Sequence, residues 1–222
     1  MHAVKMNIRG SGLVGLYMLV TDKVVLVGNE VPESLDKTIT EVLHVPIIRM
    51  SIAGTSLIGV FASTDGENII VPDIIFEHEE DILKKSGIKY AKIHTNLTCL
   101  GTNVCATKKG VLIHPEFEES AEKQIKAIFS ENVKRMNIGE SPNVGICLSH
   151  NSKFGLITPD VTDEEAEFIE QFLGIELTGG TVEMGSTQVK SGIIANDTGY
   201  IIGEHSGGPE IINADRAFGY SE

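Results

Sequence analysis

An internal repeat of about 44 residues, present five times, restricts this chain more than any other feature. A short run carrying a Gly or Asn recurs at Val14-Gly15-Leu16, Ile58-Gly59-Val60, Thr102-Asn103-Val104, Val144-Gly145-Ile146 and Ser191-Gly192-Ile193, with steps of 44, 44, 42 and 47 between the middle residues. Each run leads to a polar turn, such as Thr21-Asp22-Lys23 or Asn196-Asp197-Thr198-Gly199, and then to a second apolar run. Helical spacing follows at residues 34–44, 73–86, 116–131, 160–173 and 209–218. A third strand-like run closes the first four copies at residues 46–53, 88–94, 133–138 and 174–178. The expected unit is strand, turn, strand, helix, strand.

Periods near this length also occur in armadillo arrays and propeller blades, but one helix with three strands per copy fits neither. Five units in 222 residues leave no room for a linker. An open stack would expose two apolar ends, and no polar capping repeat is present. Closure into a ring removes both ends. The expected architecture is therefore α/β: one domain, residues 1–222, of five blades around a pseudo-fivefold axis, strands inside and helices outside. Its repeats cover residues 1–54, 55–98, 99–140, 141–187 and 188–222.

The net charge of −13 is concentrated in three of the helical segments. Residues 73–86 and 116–131 each carry −3, and residues 160–173 carry −6, so −12 of the total lies there. Apolar residues recur at three and four (Ile75, Ile82, Leu83; Phe117, Ala121, Ile125, Ile128; Phe168, Ile169, Phe172), giving amphipathic helices with acidic outer faces. Thr162 and Glu165 form a capping-box pair, and Gly174 ends that helix. Such flanks repel nucleic acid, so any RNA contact must use other surfaces.

Several chemistries lack their residues. The apolar stretch 12–20 is nine residues long, against about 20 for a membrane helix, and no small-residue cleavage site follows it. Three cysteines (Cys99, Cys105, Cys147) form no CxxC pair, which points to reduced core thiols and a cytoplasmic protein. Gly180-Thr-Val-Glu-Met-Gly185-Ser186-Thr187 resembles a phosphate loop but has Ser186 where the lysine belongs; Gly54–Gly59 lacks it too, so turn glycines explain both. No HExxH pair or close Cys/His cluster exists, and His94, Cys99, Cys105 and His114 would have to converge in space to hold a metal. Cys147 and His150 are near in sequence, but strand neighbours alternate between faces. No metal and no cofactor are expected. The chain has no Trp, and its Phe and Tyr do not interleave with basic residues, which disfavours RNA binding by stacking.

The motifs in combination do carry a resemblance. Ser51-Ile-Ala-Gly-Thr-Ser-Leu-Ile-Gly59 with Ile70-Val-Pro72, Leu100-Gly101 with Leu112-Ile-His-Pro115, and Gly180-Thr-Val182, Gly185-Ser186, Val189 and Ala195-Asn-Asp-Thr-Gly199 are similar to the translation initiation factor 6 family of ribosome anti-association factors. The similarity runs through all five repeats, and the lack of a long tail resembles the archaeal members. Three positions depart from the family pattern: Thr102 follows Leu100-Gly101 where Asn is usual, Asp65 stands in the second-repeat turn, and Glu183 replaces an Asn in the fifth repeat.

The resemblance implies the pentein fold and a non-enzymatic role. It implies binding to the large ribosomal subunit near the sarcin–ricin loop, chiefly to ribosomal proteins with limited rRNA contact, which sterically blocks the small subunit. Docking would use loops at one end of the ring. The candidate docking residues are Gly59, Val60, Asp65, Gly101, Thr102, Asn103, Gly145 and Ile146. No DNA or membrane partner is implied, and a monomer is expected. The competing class is a guanidino-group hydrolase or transferase, because the same ring hosts such enzymes. These use a nucleophilic Cys in the last repeat, and residues 188–222 contain none.

Overall fold

The computed structural model describes residues 1–220; residues 221–222 of the expected fifth repeat lie outside the described residues. The first strand, β1 (Ala3–Met6), leads to a one-turn helix α1 (Val14–Tyr17), the hairpin β2 (Met18–Val20) and β3 (Val25–Gly28), the outer helix α2 (Asp36–Leu43) and β4 (Ile47–Met50). The second repeat has α3 (Ile58–Phe61), β5 (Ser63–Thr64), β6 (Ile69–Pro72), α4 (Glu77–Ser86) and β7 (Tyr90–Ile93). The third has α5 (Leu100–Asn103), β8 (Val104–Ala106), β9 (Val111–Ile113), α6 (Glu119–Ile128) and β10 (Val133–Arg135). In the fourth, a turn at residues 144–146 takes the place of the short helix before β11 (Leu148–His150), β12 (Phe154–Ile157), α7 (Asp163–Leu173) and β13 (Glu176–Gly179). The fifth has α8 (Val189–Gly192), β14 (Ile193–Ala195), β15 (Tyr200–Gly203) and α9 (Gly208–Ala217).

Each blade is a three-stranded sheet in which the middle strand pairs antiparallel with the inner strand and parallel with the outer one. The fifth blade obtains its outer strand from the opposite end of the chain: β1 pairs parallel with β15, Ala3 opposite Tyr200 through Met6 opposite Gly203. The expected first repeat, residues 1–54, thus contains a strand that belongs to the fifth blade.

The middle strands explain the continuous apolar runs. β3, β6 and β15 are buried at all four positions, as expected for strands covered on both faces. Period-two alternation divides each between two cores: Val25 and Val27 of β3 join one, Leu26 the next. The pattern repeats with Ile69 and Val71 against Ile70, and with Val111 and Ile113 against Leu112. In β15, Tyr200 and Ile202 fill the fifth core while Ile201 joins the first. Five cores, each shared between neighbouring blades, therefore close on themselves.

The structure corrects three local expectations. The run that opens a repeat is a helical turn before the inner strand in four repeats and a plain turn in the fourth, because an apolar stretch has no period that separates turn from strand. Thr162 caps α7 by accepting the Glu165 N–H at 3.2 Å, but the Glu165 carboxylate takes the Gly139 N–H at 2.8 Å instead of closing a capping box. Phe168 lies on the surface, stacked on Phe172 and covered by the Lys134 ammonium 4.2 Å from its ring, rather than in the core.

Candidate functional site

The inner turns form a ring at one end of the axis. The residues just before the first, second, third and fifth turns, Leu13, Leu57, Cys99 and Gln188, share φ near −80° and ψ near 60°, so these repeats superpose residue by residue. That register places Gly15, Gly59, Gly101 and Gly145 at equivalent positions, and the fifth equivalent is Lys190. The repeat spacing in the sequence aligns Asn103 and Gly192 here instead. The corrected steps are 44, 42, 44 and 45.

The glycines are required by backbone contact. A Cβ on Gly15 would lie 1.8 Å from the Lys190 carbonyl oxygen, on Gly59 1.9 Å from that of Gly15, on Gly101 2.0 Å from that of Gly59, and on Gly145 2.5 Å from that of Gly101. The Gly145 N–H donates to the Thr102 carbonyl at 2.9 Å, and the Lys190 N–H to the Ile146 carbonyl at 3.0 Å. Gly59, Gly101 and Gly145 are thus buried packing positions, while their successors Val60, Thr102 and Ile146 keep half-exposed side chains. The five turn segments, residues 13–17, 57–61, 99–103, 142–146 and 188–191, contain no charged residue except Lys190.

Asn103 is buried at the end of α5, where its carbonyl accepts the His114 N–H at 2.9 Å. Asp65 lies at the other end of the inner strand, in the β5–β6 hairpin. Its Oδ1 accepts the N–H groups of Glu67 and Asn68 at 2.9 and 2.7 Å, and its Oδ2 the Asn68 side chain at 2.8 Å. Thr21, Thr107, Asn151 and Asn196 do the same in their own hairpins: Asn151 Oδ1, for example, accepts from Lys153 and Phe154 at 2.9 and 2.8 Å. Side-chain acceptors that bond the backbone two and three residues ahead are turn formers. The structure therefore brings Val60, Thr102 and Ile146 together and does not bring Asp65 to them.

One set of residues at the ring end escaped the sequence reading. Glu79 reaches from α4 to the preceding inter-repeat turn, accepting the Ala53 and Gly54 N–H groups at 2.8 and 2.9 Å, the Ser51 hydroxyl at 2.5 Å and its own helix's Phe76 N–H at 3.0 Å. Burial raises its pKa, but these bonds outweigh that effect and leave it below the ordinary carboxylate value. Glu210 holds Met184, Gly185 and Thr181 likewise, and Glu165 holds Gly139. The available signal was a Glu in the first turn of each of these helices, about 25 residues beyond the turn glycine. Gly54 and Gly185, the glycines of the loop-like motifs, have φ of 76° and 98° and sit in these turns.

At the hairpin end the axis opens into a cavity of about 200 Å³, bordered by Lys190, Cys105 and His150 among others. Burial pushes the Cys105 thiol up to about 12, only partly offset by Lys190. Burial also raises the Cys147 thiol and lowers His150. Cys147 and His150 do not meet: Cys147 Sγ lies 3.5 Å from the Asn143 carbonyl, whereas His150 Nδ1 is 3.0 Å from that of Asn151. His94 pairs with the Asp73 carboxylate, His114 accepts the Glu116 N–H at 3.1 Å, and no group of three or more His, Cys, Asp or Glu among the described residues could hold a metal ion. No helix among them is long and apolar enough to cross a membrane.

The sequence model of the eIF-6 family matches residues 3–217, which takes in all five blades. The chain belongs to the eIF-6 family. Curated relatives agree in extent. Translation initiation factor 6 of Thermococcus onnurineus is 31% identical over 226 residues, 99% of each chain, and that of Pyrococcus abyssi is 30% identical over 225 residues, again 99% of each. The Pyrobaculum aerophilum factor is 26% identical over 95% of this chain and 96% of its own. Membership supports a role for this eIF-6 family protein as a translation initiation factor, a class generally without enzymatic activity.

Among solved structures, the N-terminal domain of ArgZ, an arginine dihydrolase from cyanobacteria, bound to substrate as a C264S mutant, aligns with a TM-score of 0.52 at 13% identity over 76% of this chain and 68% of that one. A covalent-intermediate form of the same domain gives 0.51 at 12% identity over 76% and 67%. That likeness establishes the fold, the five-bladed ring expected from the repeats and the pentein fold that the resemblance implies.

Proposed function

We propose that this eIF-6 family protein docks on the intersubunit face of the large ribosomal subunit, near the sarcin–ricin loop, through the ring end that carries Val60, Thr102 and Ile146, and thereby blocks the small subunit. The observation that carries this reading is the character of that end. In a chain of net charge −13, the five inner turns hold a single charged residue and a row of half-exposed apolar and hydroxyl side chains, on a backbone fixed by glycine–carbonyl contacts. A rigid patch with Glu140 and Asp160 at its rim loses little entropy on binding and suits a protein partner better than bare phosphates. The mechanism is steric: a ring one domain thick occupies the space the other subunit needs.

Persistent occupancy calls for nanomolar affinity, about −12 kcal/mol, which an interface of about 1,600 Å² can supply. Cosedimentation with purified large subunits tests the reading, with subunit joining measured in parallel. Bound protein and suppressed joining are expected. Protein that remains free at micromolar subunit concentration would refute it.

The hydrolase alternative fares worse on chemistry than on fold. Of the three cysteines none lies in the fifth blade, and the two buried ones, Cys105 and Cys147, have thiols raised well above neutrality. A protonated thiol is not a nucleophile. Pure protein is expected to release neither citrulline nor ammonia from arginine or agmatine derivatives.

A further inference from the structure

We propose that the axial cavity is a binding site for a small monocarboxylate with an apolar body, its charge paired with the ammonium of Lys190. This goes beyond the docking reading and does not depend on it, since the cavity opens among the hairpins and the proposed docking face is the opposite end of the ring.

The geometry starts from the broken fivefold pattern. Four repeats place a glycine on the axis; the fifth places Lys190, whose side chain crosses to the third repeat and donates to the Gly101 carbonyl at 2.8 Å. An ammonium has three N–H donors, and this bond uses one. Lys190 is half-buried, and the surface it keeps borders the cavity. Among the described residues no carboxylate lies within ion-pair distance of it. A partly desolvated cation without a counter-ion is costly, so the site favours an anion that completes the pair.

The cavity's own acids are already committed. Asp65 is consumed by its turn, and Asp22 faces the Lys108 ammonium at 3.4 Å. The other titratable groups cannot neutralise Lys190 either. Cys105 is held as a thiol and His150 as a neutral imidazole, and Lys108 is itself paired with Asp22 and Glu67 at 3.4 and 3.2 Å. Lys109 on the same wall adds positive charge that attracts an anion toward the mouth.

The apolar body follows from the walls. Met18, Val20, Val104, Leu148 and Ile194 line the space. The hydroxyls that border it are spent on internal bonds, Ser63 to the Val104 carbonyl at 2.9 Å, Thr107 to that of Leu173 at 2.7 Å and Ser149 to that of Ile193 at 3.2 Å. At about 200 Å³ the cavity is smaller than sites for drug-sized ligands and suited to a single small acid. Lys190 also makes the site unfit for a guanidinium substrate, because two cations would share one dry space.

Benzoate is the probe, with benzamide as its uncharged counterpart, chloride as a bare anion, and guanidinium as a cation. Calorimetry and thermal unfolding of the full chain at neutral pH should show benzoate binding and raising Tm, with benzamide, chloride and guanidinium at least tenfold weaker. Methyl resonances of Val104, Leu148 and Ile194 should shift on benzoate addition, a readout that needs no variant. Lys190→Met and Lys190→Gln should each lower benzoate affinity at least tenfold while the fold persists. Absence of methyl shifts at millimolar benzoate would overturn the proposal. So would equal binding of benzamide or chloride, or unchanged affinity in either folded variant.

Discussion

Replacing Lys190 by methionine should change how stability depends on pH more than it changes stability itself. Burial holds the Lys190 ammonium at a pKa of about 8, against 10.5 for a free lysine, with the nearby Cys105 acting in the other direction. At about 1.4 kcal/mol per unit, that difference makes the buried charge cost about 3 kcal/mol. Below pH 8 both folded and unfolded chains carry the proton, so the cost is present in full. Between pH 8 and 10.5 the folded chain has lost the proton while the unfolded chain keeps it. The unfolded state then binds more protons, and stability rises with pH until the cost is gone.

Methionine removes the charge and also the bond to the Gly101 carbonyl, whose loss costs about 1–3 kcal/mol. At neutral pH these effects oppose, and the net change is small. At pH 10.5 only the lost bond remains. The stability of Lys190→Met relative to the unsubstituted protein should therefore fall by about 3 kcal/mol between pH 7 and pH 10.5. Tyr90 and Tyr220, with pKa values near 12, are common to both proteins and cancel in the comparison, and Cys105, which Lys190 does influence, titrates near 12, above the pH range compared. Urea unfolding at a series of pH values supplies the measurement. Parallel stability curves would refute the reasoning, and a gap that narrows with pH would mean that Lys190 has an anionic partner within the protein.

Other perturbations separate docking from folding. Thr102→Arg places a long cation on the ring end, and large-subunit affinity should fall at least tenfold, about 1.4 kcal/mol, with Tm nearly unchanged; normal cosedimentation would remove α5 from the interface. Binding of the unsubstituted protein should weaken only mildly with salt, and a slope implying six or more released counterions, at about 0.9 per phosphate contact, would point to RNA-led docking instead. Gly59→Ala drives a Cβ to 1.9 Å from the Gly15 carbonyl and should cost about 3 kcal/mol or more, whereas Gly10→Ala, at φ 87° with nothing within 4 Å, should cost about 1–2 kcal/mol in urea unfolding. Glu79 has a lowered pKa, so the stability it contributes is present above pH 4.5 and is lost as pH falls through its folded value; Glu79→Gln should flatten the acid limb of the stability curve, and an unchanged limb would contradict the role of its four hydrogen bonds.

The blade was legible in the amino-acid sequence alone. Apolar runs, turn residues and helical spacing are local properties, and five copies at a near-constant step already required a closed ring. The acidic outer helices and the near-neutral axis were equally legible, because side-chain charge does not wait for folding. Tertiary structure decided what depends on residues far apart in the chain. β1 belongs to the fifth blade because β15 has no outer strand from its own repeat and pairs with β1 in that place. Asp65 and Val60, five positions apart, went to opposite ends of the axis because a strand runs between them. The alignment of Lys190 with four glycines was hidden in the sequence, since lysine and glycine share no property that a pattern can match. Only the ring, in which each turn presses on the carbonyl of the one before it, revealed that position as equivalent and left a single cation on the axis.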